Sequence, residues 1–286
     1  MIEMTRRVTF SAAHADWLPQ RSAEENRRIF GAKASPEPYG HNYVLDVGVA
    51  GAIDPRTGIL VNIKEIDRIV REEVVCALDR KFLNRQVAHF RDQPVTAENL
   101  IRFIVPRIAV ALPGGVGLCS VRLEPEPIRW ATWRGSYPDT FRDITTMMVT
   151  HVYEFAASHR LHSAHLTDEE NRQLFGKCNY ENGHGHNYVL EVTVAGPVDA
   201  RSGRVIDGDV LDAIVNAEIV ERYDHRHLNF DVPDFAGQVP SAEVITRVIF
   251  DRLKDRIPAP ARLHRVLVRE TARNFFEYQG EDRLSQ

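Results

Sequence analysis

Gly40-His41-Asn42-Tyr43-Val44-Leu45 returns unchanged as Gly185-His186-Asn187-Tyr188-Val189-Leu190. The interval is 145 positions (186 − 41). It also relates His14 to His159, Asp79 to Asp224, Glu98 to Glu243 and Gly135 to Gly280, with no gap between them. Residues 43–50 and 188–195 alternate apolar and other side chains at period two, the pattern of a strand. An in-register duplication of this length means one domain written twice. Where the two copies differ, shape is kept and chemistry changes.

The surrounding text repeats in the same order. Residues 7–13 and 149–157 read as opening strands. Asp54-Pro-Arg-Thr-Gly58 and Asp199-Ala-Arg-Ser-Gly203 are turn chemistry. Residues 63–78 and 210–220 carry helical spacing. Thr96 and Ser241 suit N-caps, with Glu98 and Glu243 in the favoured first turn, and the helices reach about Ala111 and Leu253. Residues 121–123 and 266–268 open a last hairpin. The order predicted is strand, loop, strand, helix, helix, strand, strand. That is an α+β fold: two tandem domains, each a four-stranded antiparallel sheet with two helices on one face. The first copy is assigned residues 1–135, a linker 136–146, and the second copy 147–286. Four strands cannot close a barrel, and open sheet edges invite pairing, so a symmetric oligomer joined edge to edge is expected.

A chain of 286 residues, 43% hydrophobic and 27% charged, is ordinary for a soluble globular protein. A net charge of −4 gives no electrostatic case for nucleic-acid binding. No apolar run reaches membrane-spanning length and the start lacks a signal pattern, so membrane association is not expected. Three dispersed cysteines, Cys76, Cys119 and Cys178, suit a reducing cytoplasm. Of the 12 histidines, only His14, His41 and His89 fall in the first copy. Metal or acid–base work in the second copy accounts for that imbalance better than structure does.

The second copy carries four reactive elements. His184-Gly-His186 places two imidazoles on one face of a strand, and His159 on another strand supplies a third. Three nitrogen ligands with an open position describe a catalytic zinc site. His162 and His165 read as solvated or substrate-edge residues. Cys178 lies in Leu174-Phe-Gly-Lys-Cys-Asn-Tyr180, where a thiolate is a base or nucleophile and a thiol is a small buried hydrophobe. Asp224-His225 is a proton relay, or a turn acid beside a surface histidine. Glu270 ends an apolar strand, either to grip an amidine-like ring edge or as a solvated terminus.

In this order these residues resemble the 6-pyruvoyltetrahydropterin synthase family, with the related 6-carboxytetrahydropterin synthases on the same scaffold. The matching text is Phe155-Ala-Ala-Ser-His159-Arg-Leu161, Asp168-Glu-Glu-Asn171, Leu174-Phe-Gly-Lys-Cys178, Asn182-Gly-His-Gly-His-Asn-Tyr188, Asp224-His225 with Leu228-Asn229, and Glu270-Thr271. The five residues between Cys178 and His184 resemble the pyruvoyl type. The resemblance implies the tunnelling fold (T-fold), with His159, His184 and His186 binding zinc. It makes Cys178 the base and gives the rest of the relay to Asp224 and His225, reaching in from a neighbouring subunit. Glu270 would anchor a pterin, and Ser241 and Ala242 would add backbone contacts. The implied reaction turns 7,8-dihydroneopterin triphosphate into 6-pyruvoyltetrahydropterin with loss of triphosphate, a lyase step of tetrahydrobiopterin biosynthesis. The alternatives are the carboxy-forming reaction on the same substrate, and a non-catalytic pterin- or purine-binding protein. The family stacks two rings of three domains, so a homotrimer is expected, with a dimer as the alternative.

At the fixed interval Cys178 corresponds to Lys33, His184 to Tyr39, His225 to Arg80 and Glu270 to Pro125. The first copy is therefore expected to be catalytically dead, without metal, and kept as scaffold. Glu124 and Glu126 flank Pro125, and a bulge there would return an acid to the anchor position.

Overall fold

The computed structural model describes residues 1–135 and 144–281; the expected linker lies largely outside them, and Thr146 already begins a strand. The chain divides into two compact units. One comprises residues 1–149 with 196–205, the other residues 150–195 and 206 onward.

In the first unit the strands are β1 (Ile2–His14), β2 (Tyr39–Gly51), β3 (Val116–Glu126) and β4 (Arg129–Arg134). They pair antiparallel in chain order. Along β2, Tyr43, Leu45, Val47 and Val49 are all buried. These alternate residues face the helices. The first long helix runs Ile63–Val70 and continues through a π turn, Arg71–Val75, into Cys76–Leu78. Its buried Ile66, Ile69, Val70 and Val74 recur at helical spacing. The second, Ala97–Ala111, packs on β3 and β4 through residues that include Leu100, Ile104 and Ile108.

The second unit repeats the plan. Its strands are β5 (Thr146–His159), β6 (His184–Pro197), β8 (Arg262–Thr271) and β9 (Asn274–Tyr278), hydrogen-bonded in that order. A two-residue strand, β7 (Arg226–His227), pairs parallel with Ala157 and Ser158 of β5. The helix Gly208–Val215 again passes through a π turn, Asn216–Val220, to Glu221–Tyr223. The helix Ala242–Leu253 packs on β8 and β9. Leu190, Val192, Val194, Val266, Val268, Ile245 and Ile249 form the core between sheet and helices.

Two helices stand where a loop is expected. Ala23–Phe30 and Asp168–Phe175 are too short and polar to show a helical stripe. Their signal is a capping box at each start, Ser22 with Glu25 and Thr167 with Glu170. The expected caps of the long helices do form: Thr96 accepts from the Asn99 amide and Ser241 from that of Val244. Among the described residues, no helix is long and apolar enough to cross a membrane.

Candidate metal centre and its surroundings

Strand geometry gathers the three histidines. His184 and His186 sit two apart on β6 and share a face, and His159 ends β5, the neighbouring strand. Their ligand atoms lie within 4.8 Å of one another, the one such cluster of three histidines, cysteines or acids among the described residues. His159 Nε2 and His184 Nε2 are 3.3 Å apart. Tetrahedral zinc with nitrogen ligands at 2.0–2.1 Å would hold such atoms about 3.3 Å apart.

Two further observations fit a cation. His186 Nε2 is buried without a hydrogen-bond partner, a cost that a metal could offset at this cluster. His159 Nδ1 lies 2.7 Å from the Pro240 carbonyl. A carbonyl only accepts, so Nδ1 carries the proton and Nε2 keeps its lone pair toward the cluster. Burial lowers the pKa of both His159 and His186, which keeps them neutral. Phe155 stacks on Tyr188 beneath the site. The donor set and the orphaned His186 Nε2 suit a metal of the zinc type.

Gly183 admits the loop into this site. Its φ is +67°, and a Cβ there would meet the His159 carbonyl oxygen at 2.4 Å. Gly183→Ala should push β6 away from His159 and weaken metal binding by roughly 10–100-fold, the range for loss of a supporting interaction. Competition titration with a chromogenic chelator measures this; unchanged affinity counts against the convergence described.

Glu270 lies at the rim of the cluster. Its Oε1 is 3.7 Å from His159 Nε2 and 3.8 Å from His186 Nε2. It is therefore no solvated strand end. Its ladder carries a register shift between Arg269 and Thr271. Asp224 Oδ2 is 2.7 Å from His225 Nδ1, and Asp224 Oδ1 accepts from the Ala156 amide at 2.7 Å. The amide bond first, then the imidazole, holds the Asp224 carboxyl below its usual range. His225 has a left-handed backbone, φ 57°, and its side chain is 83% exposed. It lines an open recess of about 440 Å³ with Ala156–Ser158, Gly185–Asn187, Arg226 and His227.

Cys178 lies neither in the histidine cluster nor on the wall of that recess. It is half-buried in the short helical turn Gly176–Asn179, and its carbonyl accepts from the Leu161 amide. His162 Nδ1 sits 3.0 Å from Asn179 Oδ1, which ties it to the loop bearing Cys178. His165 is exposed. Ser241 and Ala242 begin the helix that follows Pro240, so the Pro240 carbonyl links that helix start to His159. Sequence reading missed Pro240, because a backbone carbonyl leaves no residue signature.

The first copy keeps the frame and fills the hole. Tyr39 takes the place of His184, its ring 4.4 Å from that of His14, and its hydroxyl donates to Asp16 at 2.7 Å. Burial pulls His14 down to a pKa of about 4. The β3 ladder shifts register between Leu123 and Glu126, and Glu126 Oε1 lies 4.0 Å from His41 Nδ1. An acid thus returns near the anchor position, though the second copy has the same shift and the bulge is no compensation. Arg80 matches His225 in backbone, with φ 55°, and lines a similar recess with Lys81 and His41.

With this geometry stand the likenesses to known proteins. The profile of the family described as 6-pyruvoyl tetrahydropterin synthase matches twice, over residues 3–136 and 148–281. The human 6-pyruvoyl tetrahydrobiopterin synthase is 45% identical over 127 residues, which cover 44% of this chain and 87% of that protein. The Drosophila melanogaster protein of the same name is 41% identical over 126 residues, 44% of this chain and 75% of that one. The solved 6-pyruvoyl tetrahydropterin synthase of Caenorhabditis elegans is 40% identical, with a TM-score of 0.46. It covers 48% of this chain and 96% of its own.

Proposed function

We propose a function from one premise: this chain belongs to the 6-pyruvoyl tetrahydropterin synthase family, matched by both of its copies. It is a lyase of tetrahydrobiopterin biosynthesis that converts 7,8-dihydroneopterin triphosphate to 6-pyruvoyltetrahydropterin and triphosphate. The observation that carries this reading is the convergence of His159, His184 and His186, with His186 Nε2 buried and unpartnered. These three would hold zinc, which when bound supplies Lewis acidity toward side-chain oxygens and acidifies the adjacent C–H bonds.

The chain's own groups do the rest. Glu270 presents a carboxylate beside the cluster and grips the amidine edge of the pterin through two parallel hydrogen bonds. Ser241 and Ala242 offer backbone contacts at the helix start. Cys178 takes a proton from the substrate side chain. Asp224 orients His225, and the imidazole moves a second proton. The hydrogens lost by the side chain reduce the ring, so no external oxidant or reductant enters, and triphosphate leaves by elimination. The exposure of His225 supports a relay that serves a neighbouring subunit's site.

Residues 1–135 act as scaffold and 147–286 as the catalytic copy of a cytoplasmic homotrimer, joined by the segment between them. The test is incubation of the chain with dihydroneopterin triphosphate, with zinc or with chelator, and identification of products by mass. The expected product carries a pyruvoyl side chain and appears only with metal. A carboxy product, or binding without turnover, overturns the assignment.

A further inference from the structure

The first copy keeps the frame of the Asp224–His225 pair and mounts a different group on it. Asp79 Oδ1 accepts from the Ser11 amide at 2.9 Å, as Asp224 Oδ1 accepts from that of Ala156. The Arg80 amide donates to the Ser11 carbonyl at 2.6 Å, as that of His225 donates to the Ala156 carbonyl. Arg80 and His225 share the left-handed backbone that glycine adopts at low cost and other residues seldom adopt. Asp79 Oδ2 then lies 3.6 Å from Arg80 Nε, where Asp224 Oδ2 faces His225 Nδ1. An imidazole at that point can pass a proton. A guanidinium cannot, because it stays charged at every working pH.

The charge of the whole segment moves with it. From Asp79 to Gln86 one acid stands against three bases; from Asp224 to Asp231 two acids stand against one base. The recess beside Arg80 has a volume of about 550 Å³, and no carboxylate is among the described residues that line it. The Arg80 side chain is 90% exposed, so its long contact with Asp79 is weak and leaves the guanidinium open to a ligand. Lys81 lines the same recess. Ser11, where the second copy has Ala156, donates its hydroxyl to Asn42 Oδ1 at 2.8 Å, which leaves the Asn42 amide nitrogen to donate. A scaffold needs the frame and not these charges.

We infer that this recess of the first copy binds a phosphate-bearing anion, held by the Arg80 guanidinium, the Lys81 ammonium and the Asn42 amide. The guanidinium presents paired N–H donors that match two phosphate oxygens. Lys81 adds a second positive charge, which suits a group carrying two or more negative ones. A single carboxylate would leave that second charge unused. The ligand is a free oligophosphate or the phosphate end of a nucleotide, and both offer the same oxygens to this wall. The site needs neither metal nor turnover, so it stands or falls apart from the proposed reaction.

Amine labelling followed by peptide mass reads the site at Lys81. Inorganic tripolyphosphate should slow labelling of Lys81 by roughly fivefold or more, against a control with chloride at equal ionic strength so that screening is the same. Lys64, exposed on a helix of the same copy, should label at an unchanged rate. ATP in place of tripolyphosphate separates the sources. Equal or weaker protection by ATP identifies the phosphate chain as the ligand, and stronger protection identifies a nucleotide. Arg80→Asn removes the charge and keeps a residue that tolerates the left-handed backbone. Asn42→Asp keeps an acceptor for Ser11 and adds an acid to the wall. Each should raise the anion concentration for half-protection by about tenfold or more, as loss of one hydrogen bond to a charged group does. Lys81 that labels equally with and without both anions, Lys64 slowed to the same degree, or protection that survives both variants overturns the inference.

Discussion

His184→Ala is expected to abolish metal binding and to lower turnover by on the order of 10³-fold or more. Lewis-acid stabilisation supplies several kcal/mol at a transition state, and about 1.4 kcal/mol is a factor of ten in rate. Two histidines would remain, His159 and His186, which is the complement the first copy already has in His14 and His41. The substitution also removes the imidazole whose Nδ1 is buried and unpartnered, so the fold should survive it. Metal content by plasma mass spectrometry and turnover under saturating substrate check the two parts separately. A variant that keeps its metal and its rate would show that His184 is no ligand.

Cys178→Ala is expected to lower turnover by about 10²–10⁴-fold, the usual contribution of an acid–base group. Metal content should not change, because the thiol lies outside the histidine cluster. Asp224→Asn should cost a similar factor, since it removes the acceptor that orients His225. The exposed His225 makes a sharper expectation possible. If the relay serves a neighbouring chain, mixing the Cys178→Ala and Asp224→Asn proteins should recover activity above that of either alone. Full activity in Cys178→Ala would remove the thiol from the mechanism.

Much of this was legible because the copies share an interval. Period-two alternation places Tyr43, Leu45 and Val47 on one face, and those residues are buried together. Thr96 and Ser241 announce helix starts by their own side chains. The features that escaped are those without a periodic or compositional mark. The π turns at 71–75 and 216–220 sit inside ordinary helical text. Pro240 acts through its carbonyl, and Tyr39 with Asp16 fills the first copy's site by a long-range hydrogen bond. The seating of Gly203 against Asn99 depends on which unit the 196–205 segment joins, and no local rule states that.

The decisive measurement is the metal count per chain in three proteins: unaltered, His41→Ala and His184→Ala. One dication per 32.5 kDa chain in the first two and none in the third is the predicted result. Two per chain in the unaltered protein, loss on His41→Ala, or retention on His184→Ala would contradict a single centre built from His159, His184 and His186.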